Sequence, residues 1–274
     1  MITGGAAGIG RATAQQAWER GADVVLIDRN DEVERVASEM GTSSRPVRWR
    51  VADVTDLVVL EAAVDSIAAE CGRIDVVVAN AGIGPRPTSV AFGDREHQRR
   101  LLDVNLHGVW HTAWASASHL VDSGGHLAII SSVTAFAPTP AWAGYGASKA
   151  AVESLARAMR IELAPSGVSV GVIHFGFVDT GLVRAFAADP LNEALEGVLP
   201  AVGLTKATPA DAAAALVDSI ERRRPRLIYP ARFVPVYLMR GLIGPVVDAY
   251  LVHSPRSRSV LRSIVDNDRA TSAP

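Results

Sequence analysis

One cysteine, Cys71, stands in the 274 residues, so no internal disulfide can form. That scarcity fits a reducing compartment, and a cytoplasmic location is expected. Cys71 closes a predicted helix with no histidine partner in view, which marks an inert thiol rather than a nucleophile. Charge of one sign is lacking as well: 27 Lys and Arg against 29 Asp and Glu leave a net charge of −2. No basic excess points to nucleic acid, and no acidic run points to a disordered tail. No stretch of about twenty apolar residues is free of charge, so a membrane-spanning helix is not expected. The chain enters a glycine loop directly, without a signal-peptide pattern. His107 and His111 are four apart on a predicted helix, but no carboxylate or cysteine offers a third ligand, so no metal is expected.

What is present is apolar. Hydrophobic residues make up 49% of the chain and charged residues 20%, enough for a substantial core. Asp23 to Asp28, Val47 to Val51, Ile74 to Ala79, His126 to Ser131, Ser169 to Ile173 and Arg226 to Tyr229 read as strands. Ile74 to Ala79 and His126 to Ser131 are apolar runs without strict alternation, which suits strands covered on both faces of a parallel sheet. Helical patterns over Arg11 to Arg20 and Leu57 to Glu70 separate them. The alternation predicts an α/β fold, a doubly wound, mostly parallel Rossmann-type sheet of about seven strands with helices on both faces. Only Met1 and Ile2 precede the glycine turn, so the first, central strand is expected to be truncated. A start placed a few residues late, a trimmed chain and a naturally stunted strand all fit that reading.

Glycines dominate Thr3-Gly4-Gly5-Ala6-Ala7-Gly8-Ile9-Gly10. Gly4, Gly8 and Gly10 permit a tight turn and close backbone approach, so that a pyrophosphate could sit on the helix N-terminus beside Ile9. The spacing is not G-x-G-x-x-G, and no Gly-Lys-Ser/Thr follows, so the loop is not a P-loop. Asp28 ends the second strand, where a carboxylate can bond ribose hydroxyls and repel a 2′-phosphate. That favours NAD over NADP; Arg29 next to it is the group that could turn toward a phosphate. The alternative for Asp28 is a helix N-cap.

In Gly144-Tyr145-Gly146-Ala147-Ser148-Lys149, one helical turn places Tyr145 and Lys149 on the same face. A free phenol has a pKa of about 10, and a cation a few Å away can lower it by roughly 2–3. Such a phenol suits general acid–base work.

Taken together, these motifs resemble the short-chain dehydrogenase/reductases over about residues 1 to 230. Thr3 to Gly10 is similar to the family's T-G-x-x-x-G-x-G loop, Asp53-Val54 to its adenine-contacting acid, and Asn80-Ala81-Gly82 to its N-A-G turn. Asn105, and Ser132 thirteen residues before Tyr145, complete a tetrad with Tyr145 and Lys149. The resemblance implies hydride transfer between a secondary alcohol and nicotinamide. Tyr145 would be the acid/base, Lys149 would lower its pKa and bond the ribose, Ser132 would stabilise the substrate oxygen, and Asn105 would support a water. Val178 and Thr180 would hold the nicotinamide amide. Phe175 replaces the family's proline before Gly176, so that loop is expected to be less rigid.

Residues 182–206 correspond to the family's substrate flap; Phe186, Leu191, Leu195, Val198 and Leu199 there suggest an apolar or lipid-like substrate. In the family resembled, the helix carrying Trp110 and Trp114 and the Tyr145 helix form the dimer bundle, so the resemblance implies a homodimer or homotetramer. Residues 231–274 form a C-terminal extension, expected to pack on the domain or a neighbouring subunit. Arg232 and Arg240 beside its apolar run allow contact with a membrane surface. Two rival functions share parts of the pattern: a non-catalytic dinucleotide sensor, and a sugar-nucleotide epimerase or dehydratase, which needs a longer C-terminal domain.

Overall fold

The computed structural model describes residues 1–137, 140–198 and 205–271, except for the side chains of Phe186, Ala187, Glu196 and Thr271. Seven parallel strands form one sheet: β1 (Ile2–Thr3), β2 (Val25–Asp28), β3 (Arg48–Val51), β4 (Val76–Ala79), β5 (His126–Ser132), β6 (Ser169–Phe175) and β7 (Arg226–Tyr229). Their order is β3-β2-β1-β4-β5-β6-β7. The order reverses between β1 and β4, which opens a crevice at the strands' C-terminal ends.

Successive strand residues point to opposite faces, and both faces are apolar here. Val25, Ile27, Val77, Ala79, Leu127 and Ile129 pack on one side with Leu60 and Val64 of α3 (Leu57–Cys71), Val109 and Ala113 of α5 (Gly108–Ser123), and Val152 and Ala156 of α6 (Ala143–Leu163). Leu26, Val78, Ala128, Ile130 and Ile173 pack on the other with α1 (Gly8–Glu19), α2 (Glu32–Met40) and α9 (Pro209–Glu221). Each fully buried Leu or Ile contributes about 1.5–3 kcal/mol.

β1 is two residues long, yet it pairs with both neighbours, Ile2 with Leu26 and with Val78. Between β4 and α5 lie α4 (Arg95–Leu102) and a single π turn, Asp103–His107. After β6 come α7 (Gly181–Ala187) and α8 (Pro190–Glu196). The chain ends in α10 (Val234–Leu238), α11 (Arg240–His253) and α12 (Pro255–Thr271). Ile264 of α12 joins Trp142 and Leu195 in a separate small core, and the Asp268 carboxylate accepts from Ser89 N at 2.6 Å and Thr88 Oγ1 at 3.1 Å. No single helix among the described residues is long and apolar enough to cross a membrane.

Candidate active site

The crevice is a cleft of about 340 Å³ lined from the C-terminal ends of the strands. Gly4 and Gly8 line it with φ of +65° and +55°, a left-handed backbone that favours glycine. Gly10 does not line it; a Cβ there would stand 2.1 Å from the Gly4 carbonyl oxygen, so Gly10 lets α1 pack against its own loop. The N-cap of α1, Ala7, offers no side-chain hydrogen bond, so the helix's first amides, next to Ile9, face the cleft without an internal acceptor. That is a cradle for an anion.

Asp28 is not a helix cap, since Asp31 holds the N-cap position of α2. Its carboxylate accepts from Ala6 N at 3.0 Å and Asn30 N at 3.1 Å, tying the glycine loop to the end of β2. Arg29, Asp53 and Val54 line the cleft beside it; Asp53 Oδ1 also accepts from Thr55 N at 2.9 Å and Thr55 Oγ1 at 2.8 Å. Asn80, Ala81 and Gly82 follow β4. The Asn80 amide is turned onto the glycine loop, donating to Thr3 O at 3.0 Å and Gly4 O at 3.1 Å. A Cβ on Gly82 would lie 3.1 Å from Asn105 Oδ1 and 3.7 Å from Lys149 Nζ, so a side chain there would intrude between the two.

Tyr145 and Lys149 lie on one face of α6, with Lys149 Nζ 5.8 Å from the centre of the Tyr145 ring. Ser132 is buried at the end of β5, its hydroxyl accepting from Thr134 N at 3.2 Å. The expectation that Lys149 acidifies the phenol is corrected here. Lys149 Nζ donates to the Ile130 carbonyl at 3.0 Å, and burial brings its own pKa down to about 8. Burial pushes the Tyr145 phenol above its ordinary pKa, opposed by the Ser132 hydroxyl. Desolvation disfavours both charged forms, so Tyr145 is a neutral phenol at neutral pH.

Asn105 sits in the π turn and is wholly buried. Its side chain accepts from Ile83 N at 2.8 Å and donates to Ile83 O at 3.0 Å, so it fixes the chain after Gly82. Phe175 is a paired residue of β6, opposite Tyr229, rather than the start of a loose loop. The loop beyond it is held by a parallel bridge between Val178 and Ala207, by Asp179 N donating to Ala207 O at 2.9 Å, and by the Phe233 ring against Gly176. Val178 and Thr180 both line the cleft.

Three features escaped the sequence. Ser131 lines the cleft and donates to the Lys149 carbonyl at 2.9 Å; the Ser131-Ser132 doublet was its only trace. Leu182 and Val183 of α7 form the apolar wall. The flap residues expected in that role are placed elsewhere: Leu191 and Leu195 pack with Trp142 and α12, and Val198 is buried. The Phe186 side chain and Leu199 lie outside the described residues. His107 and His111 turn to Asp103 (3.3 Å) and the Val54 carbonyl (2.9 Å).

Residues 1–190 match the family model described as short chain dehydrogenase. The (-)-trans-carveol dehydrogenase of Rhodococcus erythropolis is 34% identical over 230 residues, 76% of this chain and 83% of that protein. The cis-4-hydroxycyclohexanecarboxylate dehydrogenase of Sinomonas cyclohexanicum is 35% identical over 190 residues, 69% and 76% of the two chains. The crystal structure of a carveol dehydrogenase from Mycobacterium avium in complex with NAD superposes with a TM-score of 0.74 at 27% identity, covering 83% of this chain and 94% of that one.

Proposed function

The chain belongs to the short-chain dehydrogenase family, and on that premise we propose how its residues interconvert a secondary alcohol and a ketone with NAD. The observation that carries the reading is Tyr145 and Lys149 on one face of α6, both lining a cleft that begins at the glycine loop. Neither the sensor nor the epimerase is favoured by the relatives, which are alcohol dehydrogenases by name.

The residues fit NAD: an anion cradle at α1, the Asp28 carboxylate at the end of β2, and Gly82 making room beside Lys149. When bound, NAD accepts or supplies the hydride. Asp28 and Arg29 would hold the adenosine ribose, Asp53 and Val54 the adenine, and Val178 and Thr180 the nicotinamide. Asn80, Ala81, Gly82 and Asn105 keep the cleft open between them. In the reduction direction Tyr145, a phenol through the neutral range, gives its proton to the forming alkoxide. Ser132 donates a hydrogen bond to that oxygen, stabilising charge as it develops. In the oxidation direction Tyr145 must first shed its proton, and its raised pKa makes that direction faster as pH rises. Lys149 would hold the ribose of bound NAD.

Leu182 and Val183 support an apolar substrate. Carveol and hydroxycyclohexanecarboxylate are the first alcohols to try. Tyr145→Phe removes the proton carrier while keeping the ring. It is expected to abolish turnover and leave NAD binding, read by calorimetry, nearly intact; a Tyr145→Phe enzyme that still forms NADH from an alcohol overturns the mechanism.

The reading extends to a cytoplasmic homodimer or homotetramer, supported by bare apolar residues on α5 and α6, with membrane-surface contact through α11. Fractionation reads the location. Sedimentation and vesicle flotation read the two contacts.

A further inference from the structure

A buried polar cluster lies directly behind Ser132 and outside the chemistry above. His174 of β6 is wholly buried, and its Nδ1 stands 3.2 Å from the Ser132 carbonyl oxygen. A carbonyl only accepts, so Nδ1 carries the proton. Nε2 then faces Glu153 Oε2 at 3.9 Å and has no hydrogen-bond partner. With a bare lone pair on Nε2 this approach repels; with a proton there it is a buried ion pair. Glu153 follows Tyr145 and Lys149 on the same stripe of α6. Its Oε1 accepts from Tyr237 Oη at 3.1 Å and Arg240 Nη1 at 3.0 Å. The guanidinium groups of Arg240 and Arg226 cover the Tyr237 ring at 4.4 and 4.6 Å, and the Phe136 ring meets His174 edge-on at 5.4 Å.

The charged groups facing His174 are thus Glu153 from α6, Arg226 from β7 and Arg240 from α11. Burial lowers the His174 pKa, while Glu153 and the Ser132 carbonyl oppose it. Burial alone would raise Glu153, but the Arg240 hydrogen bond and the charge of His174 outweigh it and hold the carboxyl below its usual range.

We propose that His174 is a positioning residue for Ser132, fixing the carbonyl and with it the hydroxyl that meets Tyr145. Glu153 holds the imidazole in its protonated form, and Tyr237 and Arg240 of the C-terminal helices hold Glu153. Residues beyond the last strand thereby set the geometry of the reacting pair without lining the cleft. The inference rests on the reading of Ser132 and Tyr145 as that pair.

The test uses the full chain. His174→Leu removes the donor at similar volume; kcat is expected to fall about tenfold to a hundredfold, as for a displaced reacting group, with NAD affinity unchanged. His174→Asn, whose amide can still donate to the carbonyl, is expected to keep most of the activity. Arg240→Met is expected to lower kcat, and the double variant with His174→Leu to be no slower than His174→Leu alone, because both losses run through one contact. Wild-type kcat in His174→Leu, an Asn variant as slow as Leu, losses that multiply, or lost NAD affinity in place of kcat each overturn the proposal. Should His174→Leu fail to fold, an unaltered kcat in folded Arg240→Met overturns it. If the wild type oxidises no alcohol, the functional reading fails by itself. Nitrogen NMR of His174 then decides separately: a hydrogen-bonded Nδ1–H supports the contact, and an unprotonated Nδ1 sinks it.

Discussion

His126 begins β5 almost without contact with water, its Nδ1 2.8 Å from Ser169 Oγ. Burial first, then the charges of Arg223 and Arg160, bring its pKa from 6.5 to about 4. The unfolded chain takes up a proton near 6.5 and the folded chain only near 4. The folded state binds fewer protons in that window, so the stability held above 6.5 is lost as pH falls through it. The loss amounts to about 3 kcal/mol by pH 4. Urea midpoints across this range should decline in the wild type and far less in His126→Asn; an equal decline in both removes His126 as the cause. The same physics divides what was legible at Tyr145 and Lys149. Their shared helix face follows from four-residue spacing. The direction of the phenol's shift does not, because burial dominates it and Lys149 Nζ is committed to Ile130, neither of which a spacing reveals.

Among the elements, β1 carries the most constraint for its length. With two residues in the strand, the buried Thr3 hydroxyl fastens the glycine loop to β4, accepting from Asn80 N at 3.1 Å and Ala81 N at 3.3 Å and donating to Val78 O at 3.4 Å. Thr3→Val keeps the shape and strands these groups, at a cost of about 1–3 kcal/mol for an unsatisfied buried partner. Denaturant unfolding is expected to show that loss, and calorimetry a weaker NAD affinity; a variant as stable as the wild type leaves the hydroxyl without the assigned part. The inner strands were readable because both of their faces are apolar, and the predicted ranges fall within two residues of those observed. β6 ran longer than expected because Phe175, at the position of the family's proline, keeps its ladder pairing with Tyr229. The C-terminal helices were obscured by Pro235 and Pro245. Pro235 falls in the first turn of α10, where a missing N–H costs nothing, while Pro245 lies inside α11. The His174–Glu153 contact joins residues from separate elements, which no local pattern encodes.

For the whole molecule, the outer surface is more telling than the interior. Trp110 and Trp114 on α5 are 49% and 63% exposed, and Ile161 on α6 is 76% exposed. Leu242, Val246 and Tyr250, spaced by four along α11, are bare as well, whereas Leu251 is that helix's buried residue. Apolar stripes of this kind mark contact surfaces. They differ in their neighbours. The α5 stripe adjoins α6, so a two-fold partner could bring equal helices together and cover Trp114 with its own copy. The α11 stripe is followed by Arg256 and Arg258 on α12, a pairing of apolar and basic residues that suits an anionic lipid surface. The two contacts therefore separate by mutation. Trp114→Glu is expected to turn an oligomer into a monomer in sedimentation velocity without affecting flotation on phosphatidylserine-containing vesicles. Leu242→Glu with Val246→Glu is expected to abolish flotation and leave sedimentation unchanged. A wild-type protein that sediments as a monomer removes the first contact, one that never floats removes the second, and either result leaves the cleft chemistry intact, because neither stripe lines the cleft.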